Sequence, residues 1–290
     1  MTRLLSIGHG YSAAALGRLL MAQGWQVTGT SRSAAGLARL AAQGVVAQLW
    51  PGTPLAPLLQ QATHVLVSVA PGPDGDPVLA TEAAALASAA PHLRWLGYLS
   101  TTAVYGDHAG GWVDETTPLT PTTERGRARV AAEAAWQALA ARSGLMLQIF
   151  RLAGIYGPGR GPFEKIRNGT ARRIIKPGQV FSRIHVDDIA ATLAASIARP
   201  NPGAVYNVCD DDPAPPEDVL AHAAALLGLP PPPAISFAEA DLPPMARSFY
   251  AESKRVRNAR IKTELGVQLR YPGYREGLAA ILANEGSGQR

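Results

Sequence analysis

Short apolar runs alternate with alanine-rich stretches of helical period through the first two thirds of the chain. Seven runs have strand length: Leu4–Ile7, Gln26–Thr30, Val45–Leu49, His64–Val69, Trp95–Ser100, Leu145–Arg151 and Ala204–Val208. Between them, helices are predicted near Ser12–Gln23, Ala34–Gln43, Pro77–Ala90, Thr122–Ser143 and Asp187–Ala198. Gly24, Gly44 and Gly144 stand where a left-handed residue would end a helix before the next strand. Strand and helix in alternation make βαβ units, so the fold class expected is α/β with a doubly wound parallel sheet. After about residue 205 the rhythm breaks at Asp210-Asp-Asp-Pro-Ala-Pro-Pro and again at Pro230-Pro-Pro-Pro. The expected division is therefore residues 1–205 as a nucleotide-binding domain and 206–290 as a smaller C-terminal substrate lobe. An excursion toward that lobe is expected near 157–182.

Composition narrows the class. A hydrophobic fraction of 47% against 17% charged residues is enough to close a core and too apolar for a disordered chain. Glycine at position 8 interrupts the N-terminus before a signal-peptide core forms, and nowhere do ~20 apolar residues run together. The expectation is a soluble cytoplasmic protein with no membrane partner. One cysteine, Cys209, excludes an internal disulfide and any multi-cysteine metal site. The net charge of +5 raises the question of nucleic acid, but the basic residues are scattered, with the densest group at 247–262, so no nucleic-acid partner is expected. Only Lys165, Lys176, Lys254 and Lys262 are lysines, and the abundance of Arg, Ala and Pro reads as the codon bias of a GC-rich bacterium.

The chemistry begins at Gly8-His9-Gly10-Tyr11-Ser12-Ala13, directly after the first strand and opening the first helix. Gly8 permits a tight turn, Gly10 lets the backbone approach a pyrophosphate, and small Ala13 lets helix and strand pack closely, as in Rossmann-type dinucleotide sites. His9, Tyr11 and Ser12 complete the loop, His9 either capping locally or touching the cofactor. The second strand ends in Ser31-Arg32, without the acid that an NAD site carries for the ribose. A hydroxyl and a planar fork of donors suit a 2′-phosphate, so NADP is the expected cofactor, with NAD as the alternative and Arg32 as a plain solvated arginine the other reading. Ser68, Ala70 and Pro71 close the fourth strand where ligands of doubly wound folds bind, and are expected along the nicotinamide ribose.

Three further strings share one order: Tyr98-Leu-Ser100-Thr101-Thr102-Ala-Val104-Tyr105-Gly106-Asp107, Arg151-Leu-Ala-Gly154-Ile-Tyr156-Gly157-Pro158-Gly159, and Arg183-Ile-His185-Val-Asp187-Asp188. With the glycine turn they resemble the extended short-chain dehydrogenase/reductase family, which holds nucleotide-sugar epimerases and dehydratases. The resemblance implies hydride transfer by a Ser/Thr, a Tyr and a Lys, the last two as Y-x-x-x-K on the helix after the Val-Tyr-Gly strand. Thr101 matches the first position. Arg125 stands in the tyrosine's place and Arg129 in the lysine's. Arginine stays charged above pH 12 and cannot exchange a proton as a phenol does. The i, i+4 pair still shares a helix face. Arg129 is expected to donate to the nicotinamide ribose, and Arg125 to hold a carboxylate, phosphate or oxyanion. The plain alternative is two arginines on a solvated face.

This departure resembles the atypical subgroup of the family that lacks the tyrosine, as do Met245-Ala-Arg-Ser-Phe-Tyr250-Ala-Glu-Ser-Lys254 and Leu269-Arg-Tyr-Pro-Gly-Tyr-Arg-Glu-Gly277. Gly154 and Tyr156 are expected at the cofactor. Thr102, Tyr105, Arg183, His185, Arg247 and Tyr250 are expected at the substrate, with Tyr105 alternatively a core-edge ring whose hydroxyl is satisfied. Tyr250 and Lys254 form the one true Y-x-x-x-K, some 120 residues later than the family places it. The acids and histidine at 185–188 are too few for a metal site, so no metal is expected. Two functions stay open: an NADP-dependent oxidoreductase or epimerase acting on a small anionic or sugar-like substrate, and a catalytically inactive NAD(P)-binding regulator or redox sensor. The resemblance also implies a homodimer through the alanine-rich helices at 77–90 and 122–143.

Overall fold

The computed structural model describes residues 2–287. Seven parallel strands make the central sheet: β1 (Arg3–Ile7), β2 (Gln26–Ser31), β3 (Val46–Leu49), β4 (His64–Val67), β5 (Trp95–Thr101), β7 (Leu147–Leu152) and β11 (Val205–Val208). Their order is β11-β7-β5-β4-β1-β2-β3, so the chain winds outward one way from β1, then returns and winds the other way. The first register pairs Leu4 with Val27 and Leu5 with Thr28. Between the strands run α1 (Tyr11–Ala22), α2 (Ala34–Ala42), α3 (Ala56–Leu59), α4 (Pro77–Ala89) and α5 (Glu124–Ser143), and α7 (Val186–Ala198) precedes β11.

Strand side chains alternate faces, and the two faces of this sheet carry separate cores. Leu4 joins Leu16, Leu20, Val27, Ile189 and Leu193 beneath α1 and α7. Leu5 and Ile7, one residue out of step, join Val65, Val67, Leu86 and Trp136 beneath α4 and α5. Burying both faces explains why the strands read as nearly continuous apolar runs rather than alternating ones.

Six short strands pair outside the sheet: β6 (Trp112–Val113) with β13 (Arg255–Val256), β8 (Gly154–Tyr156) with β10 (Arg183–His185), and β9 (Arg173–Ile175) with β12 (Ala234–Ser236). The helices α6 (Phe163–Arg167), α8 (Pro216–Leu226) and α11 (Tyr274–Ser287) enclose a third core of Tyr156, Phe163, Ile166, Ala223, Tyr274 and Leu278. Two more short helices, α9 (Pro244–Phe249) and α10 (Ala259–Thr263), complete the C-terminal part. Val256, Ile261, Leu265 and Val267 turn back into the first core, so this part of the chain also packs beneath the sheet.

The fourth strand stops at Val67, two residues before its expected end; beyond it the Ser68 amide donates to the Ile7 carbonyl (3.0 Å) and its hydroxyl to the Gly8 carbonyl. The sixth begins at Leu147 rather than Leu145, where the Leu147 amide closes a turn onto the Leu145 carbonyl (2.8 Å). Among the described residues no helix is long and apolar enough to cross a membrane.

Candidate functional site

At the end of β1 the backbone of Gly8 takes φ +82°, and a Cβ there would lie 2.7 Å from Val69 Cγ2. Only glycine fits both the torsion and the space. The Gly8 amide donates to Thr30 Oγ1 (2.7 Å) and the His9 amide to the Thr30 carbonyl (3.1 Å), which fixes the loop to β2. Gly10, extended at φ −94° and ψ −157°, then starts α1 with no capping side chain and no acid in the first turn. By contrast α2, α4, α5 and α7 are capped by Ser33, Asp76, Thr123 and His185. The first amides of α1 therefore point outward with their dipole uncompensated, which suits a pyrophosphate.

The loop residues divide. Ser12 is buried and Tyr11 half-buried, its hydroxyl donating to the Pro158 carbonyl (2.9 Å) with the Arg160 guanidinium 5.7 Å from its ring. His9 turns inward instead of toward a ligand. Its ring fills the space over Gly17 and Gly29, where added Cβ atoms would lie 2.9 and 2.8 Å away, and neither ring nitrogen has a hydrogen-bond partner. Burial, with help from the Arg18 charge, pulls its pKa down to about 4. At the end of β2, Ser31 sits against Gly36 and Arg32 is exposed. Ala70 is exposed and Pro71 half-buried beyond β4, next to a turn closed by mutual Gly72 and Gly75 backbone hydrogen bonds.

Thr101 ends β5 half-buried, and its Oγ1 accepts from the Ala103 amide (3.3 Å) at the head of the short helical turn Thr102–Tyr105. The start of α5 packs on that turn: a Cβ on Gly126 would lie 2.9 Å from the Ala103 carbonyl oxygen. Arg125 and Arg129 thus stand beside the C-terminal end of β5, yet they behave differently. Arg129 is buried, donating to the Tyr98 hydroxyl (2.9 Å) and the Leu99 carbonyl (2.8 Å). Arg125 is exposed and makes no hydrogen bond or ion pair among the described residues. Partial desolvation, followed by the charges of Arg129 and Arg160, lowers its pKa. A guanidinium among like charges with no carboxylate partner is suited to binding an anion.

Behind these residues lies a buried polar network absent from the sequence reading. Arg151, next to last in the buried strand β7, pairs with Glu133 of α5 at 2.7 Å, both nearly solvent-free. Ser100 donates to Glu133 (2.5 Å), Arg151 donates to the Tyr105 hydroxyl (2.9 Å), and that hydroxyl donates to Asn207 Oδ1 (2.8 Å). Tyr105, placed at the substrate in one of its two readings, is fully buried and occupied by this network. Two signals stood in the sequence: a charged residue inside a buried strand requires a partner, and Glu133 lies one helical turn beyond Arg129.

The later motif residues mostly hold the chain together. Gly154 is exposed, whereas Tyr156 is buried and donates to the Gly273 carbonyl (3.2 Å). His185 lies between the rings of Tyr156 and Tyr271 at 5.2 and 4.1 Å and accepts from the Asp187 amide (3.2 Å) as the cap of α7. Asp188 accepts from the amides of Arg270 (2.7 Å) and Tyr271 (3.0 Å). Arg183 donates to the Phe181 and Ala214 carbonyls at 2.9 and 3.0 Å, beside Asp210, whose pKa burial pushes up to about 8. Thr102 is half-buried, Arg247 donates to the Ala240 carbonyl (2.8 Å), and the Tyr250 ring packs between Phe181 and Phe237. Lys254 is buried, donating to the Gly106 carbonyl and to Glu252, each at 2.7 Å, so it clamps the loop after β5.

Comparison with known proteins adds to this geometry. A family model described as the NAD dependent epimerase/dehydratase family matches residues 78–209. The chain is 30% identical over 286 residues to Protein YeeZ of Escherichia coli, covering 94% of this chain and 97% of that one. It is 32% identical over 164 residues to a 3-diazoavenalumate denitrifying reductase of a Streptomyces species, 52% of each chain. Among solved structures, a functionally unknown conserved protein from Silicibacter pomeroyi DSS shares 62% identity and a TM-score of 0.94 over 98% of this chain and 99% of that one. The same fold occurs in UDP-glucuronic acid 4-epimerase from Bacillus cereus in complex with NAD, at 17% identity and TM-score 0.76 over 100% of both chains. It occurs again in human epimerase family protein SDR39U1 with NADPH, at 21% and 0.77 over 98% of this chain and 100% of that one.

Proposed function

This chain belongs to the NAD dependent epimerase/dehydratase family, and on that premise we propose that it is an NADP-dependent oxidoreductase that reduces a small anionic substrate. The observation that carries the reading is Arg125, a cation unpaired among the described residues at the start of α5, which packs on the turn after Thr101, in the place where the resembled family keeps its proton donor. A bound nicotinamide supplies or takes a hydride. Gly8, Gly10 and the uncapped start of α1 fit its pyrophosphate. Arg32, exposed at the end of β2 with no acid beside it in the sequence, favours the 2′-phosphate of NADP.

The direction of reaction follows from what the residues can do with protons. Thr101 Oγ1 accepts from Ala103, which leaves its own hydrogen to donate to a substrate oxygen. Arg125 holds the substrate's anionic group and, always charged, transfers no proton. Oxidising an alcohol, the opening step of epimerisation through a ketone, requires a base to take the hydroxyl proton. Arg125 cannot be that base, and burial raises the pKa of the Tyr98, Tyr105 and Tyr156 phenols. In reduction the alkoxide formed by hydride addition accepts the Thr101 hydrogen bond and takes its proton from water, a step that needs no base, so reduction is favoured over epimerisation.

The test follows NADPH oxidation by the purified protein across a panel of carbonyl and other reducible anionic compounds. Thr101→Ala and Arg125→Gln are each expected to lower kcat/KM by about 10²–10³, with NADPH binding retained. Equal rates in wild type and both variants would remove these residues from the chemistry. One observation favours a second reading, a nicotinamide-binding regulator: Arg129, in the lysine's place, is already engaged with Tyr98 and Leu99. NADPH binding without turnover on any compound supports that reading.

A further inference from the structure

Resting on the reductive reading, we propose that the substrate is an aromatic carboxylate, its ring lying against Phe249 and its carboxylate paired with Arg125. The Arg125 guanidinium carbon lies 5.9 Å from the Phe249 ring centre, so one residue from α5 and one from α9 face the same space. Phe249 is 53% exposed, unusual for so large an apolar side chain beside a functional site. The next residue, Tyr250, stacks on Phe237 (5.3 Å between centres) and meets Phe181 edge-on (5.5 Å). Phe249 is thus next in the chain to a cluster of Tyr250, Phe237 and Phe181, in a protein with only 6% aromatic residues.

Cations also gather there, but their donors are not equally free. Lys176 lies 5.4 Å from the Phe237 ring and donates to the Tyr250 carbonyl. Arg247 lies 5.1 Å from the same ring and donates to the Ala240 carbonyl. Arg183, beside Phe181, donates to two backbone carbonyls. These three are held by backbone carbonyls, whereas Arg125 makes no hydrogen bond or ion pair among the described residues and keeps its donors for a ligand. One free guanidinium against an exposed ring selects one anionic group on a flat apolar body. A sugar joined to a nucleoside diphosphate presents the opposite chemistry: a hydroxyl-rich ring and two phosphates that call for several free donors.

The experiment titrates cinnamate, cinnamamide, 3-cyclohexylpropanoate and UDP-glucose into the NADPH-saturated protein. Cinnamate is expected to bind at least tenfold more tightly than the other three. Phe249→Ala, a surface change that leaves the core intact, is expected to weaken cinnamate fivefold or more and leave NADPH affinity unchanged. Arg125→Gln is expected to abolish the preference for the acid over the amide. Equal binding of acid and amide, tighter binding of UDP-glucose, or no cinnamate binding overturns the aromatic carboxylate while leaving the reductive reading in place. Failure to bind NADPH at all overturns both.

Discussion

His9 offers a quantitative test of how the loop beneath the proposed cofactor is built. Its imidazole is 6% exposed, and both ring nitrogens lack partners. Burial, then the Arg18 charge, lowers its pKa from 6.5 to about 4. In the unfolded chain the ring takes a proton as the pH falls through 6.5, whereas in the folded protein it stays neutral until about 4. The unfolded state therefore binds more protons across that window, and stability present above 6.5 is lost progressively as the pH falls toward 4. The full difference corresponds to about 3 kcal/mol, of which about 2 kcal/mol is lost between pH 7 and pH 5. His64, also held near 4 by burial and by Arg94, adds a parallel loss. Replacing His9 by leucine keeps a similar volume between Gly17 and Gly29 and removes the titration. Urea unfolding of wild type and His9→Leu at pH 7, 6 and 5 should show the variant losing about 2 kcal/mol less over the interval. An identical loss in both proteins would show that the ring is not held neutral in the fold.

Other perturbations probe the site's supports. Glu133→Leu leaves the Arg151 charge buried without its partner and should cost about 3–5 kcal/mol in chemical denaturation, much of it recovered when Arg151→Met is added; simple additivity of the two changes would contradict a coupled pair. Gly8→Ala forces a side chain into φ +82° and onto Val69, so NADPH affinity measured by fluorescence titration should fall at least about tenfold, along with about 1–3 kcal/mol of stability; unaltered affinity would mean that the turn does not shape the phosphate site. Asp188→Asn weakens the charge-assisted bonds that pin the chain at Arg270 and Tyr271, so those two amides should exchange hydrogen markedly faster while amides of β1 do not change; unchanged exchange at both would show that the carboxylate is not what holds them.

The seven sheet strands and the glycine turn after β1 were legible because each is written locally: an apolar run, a glycine where φ must be positive, a helix following. Contacts across the sheet were not. Nothing in the spacing of Glu133 and Arg151 says that they meet, since their distance is set by how α5 lies over β7. The same holds for Arg129, whose place in the helix matches the family's lysine while its donors are directed to Tyr98 and Leu99. His9 falls between these cases. Gly17, a poor helix former in the middle of α1, signalled that something packs closely there, but not that it is an imidazole two turns upstream. Tyr105 had two readings, and its burial matches the core-edge one. The short pairs β8 with β10 and β9 with β12 are three residues each, too brief to leave a period of two in the chain.

In the proposed function the turn at residues 8–13 grips NADP while Arg32 reads its 2′-phosphate. Calorimetric titration of the pure protein with NADPH and NADH, repeated on Arg32→Ala, addresses it most directly. NADPH is expected to bind more tightly than NADH in the wild type, and Arg32→Ala to erase that difference without abolishing binding. Equal affinity for the two cofactors with no effect of Arg32→Ala would contradict the 2′-phosphate assignment, and uptake of neither would contradict the site itself.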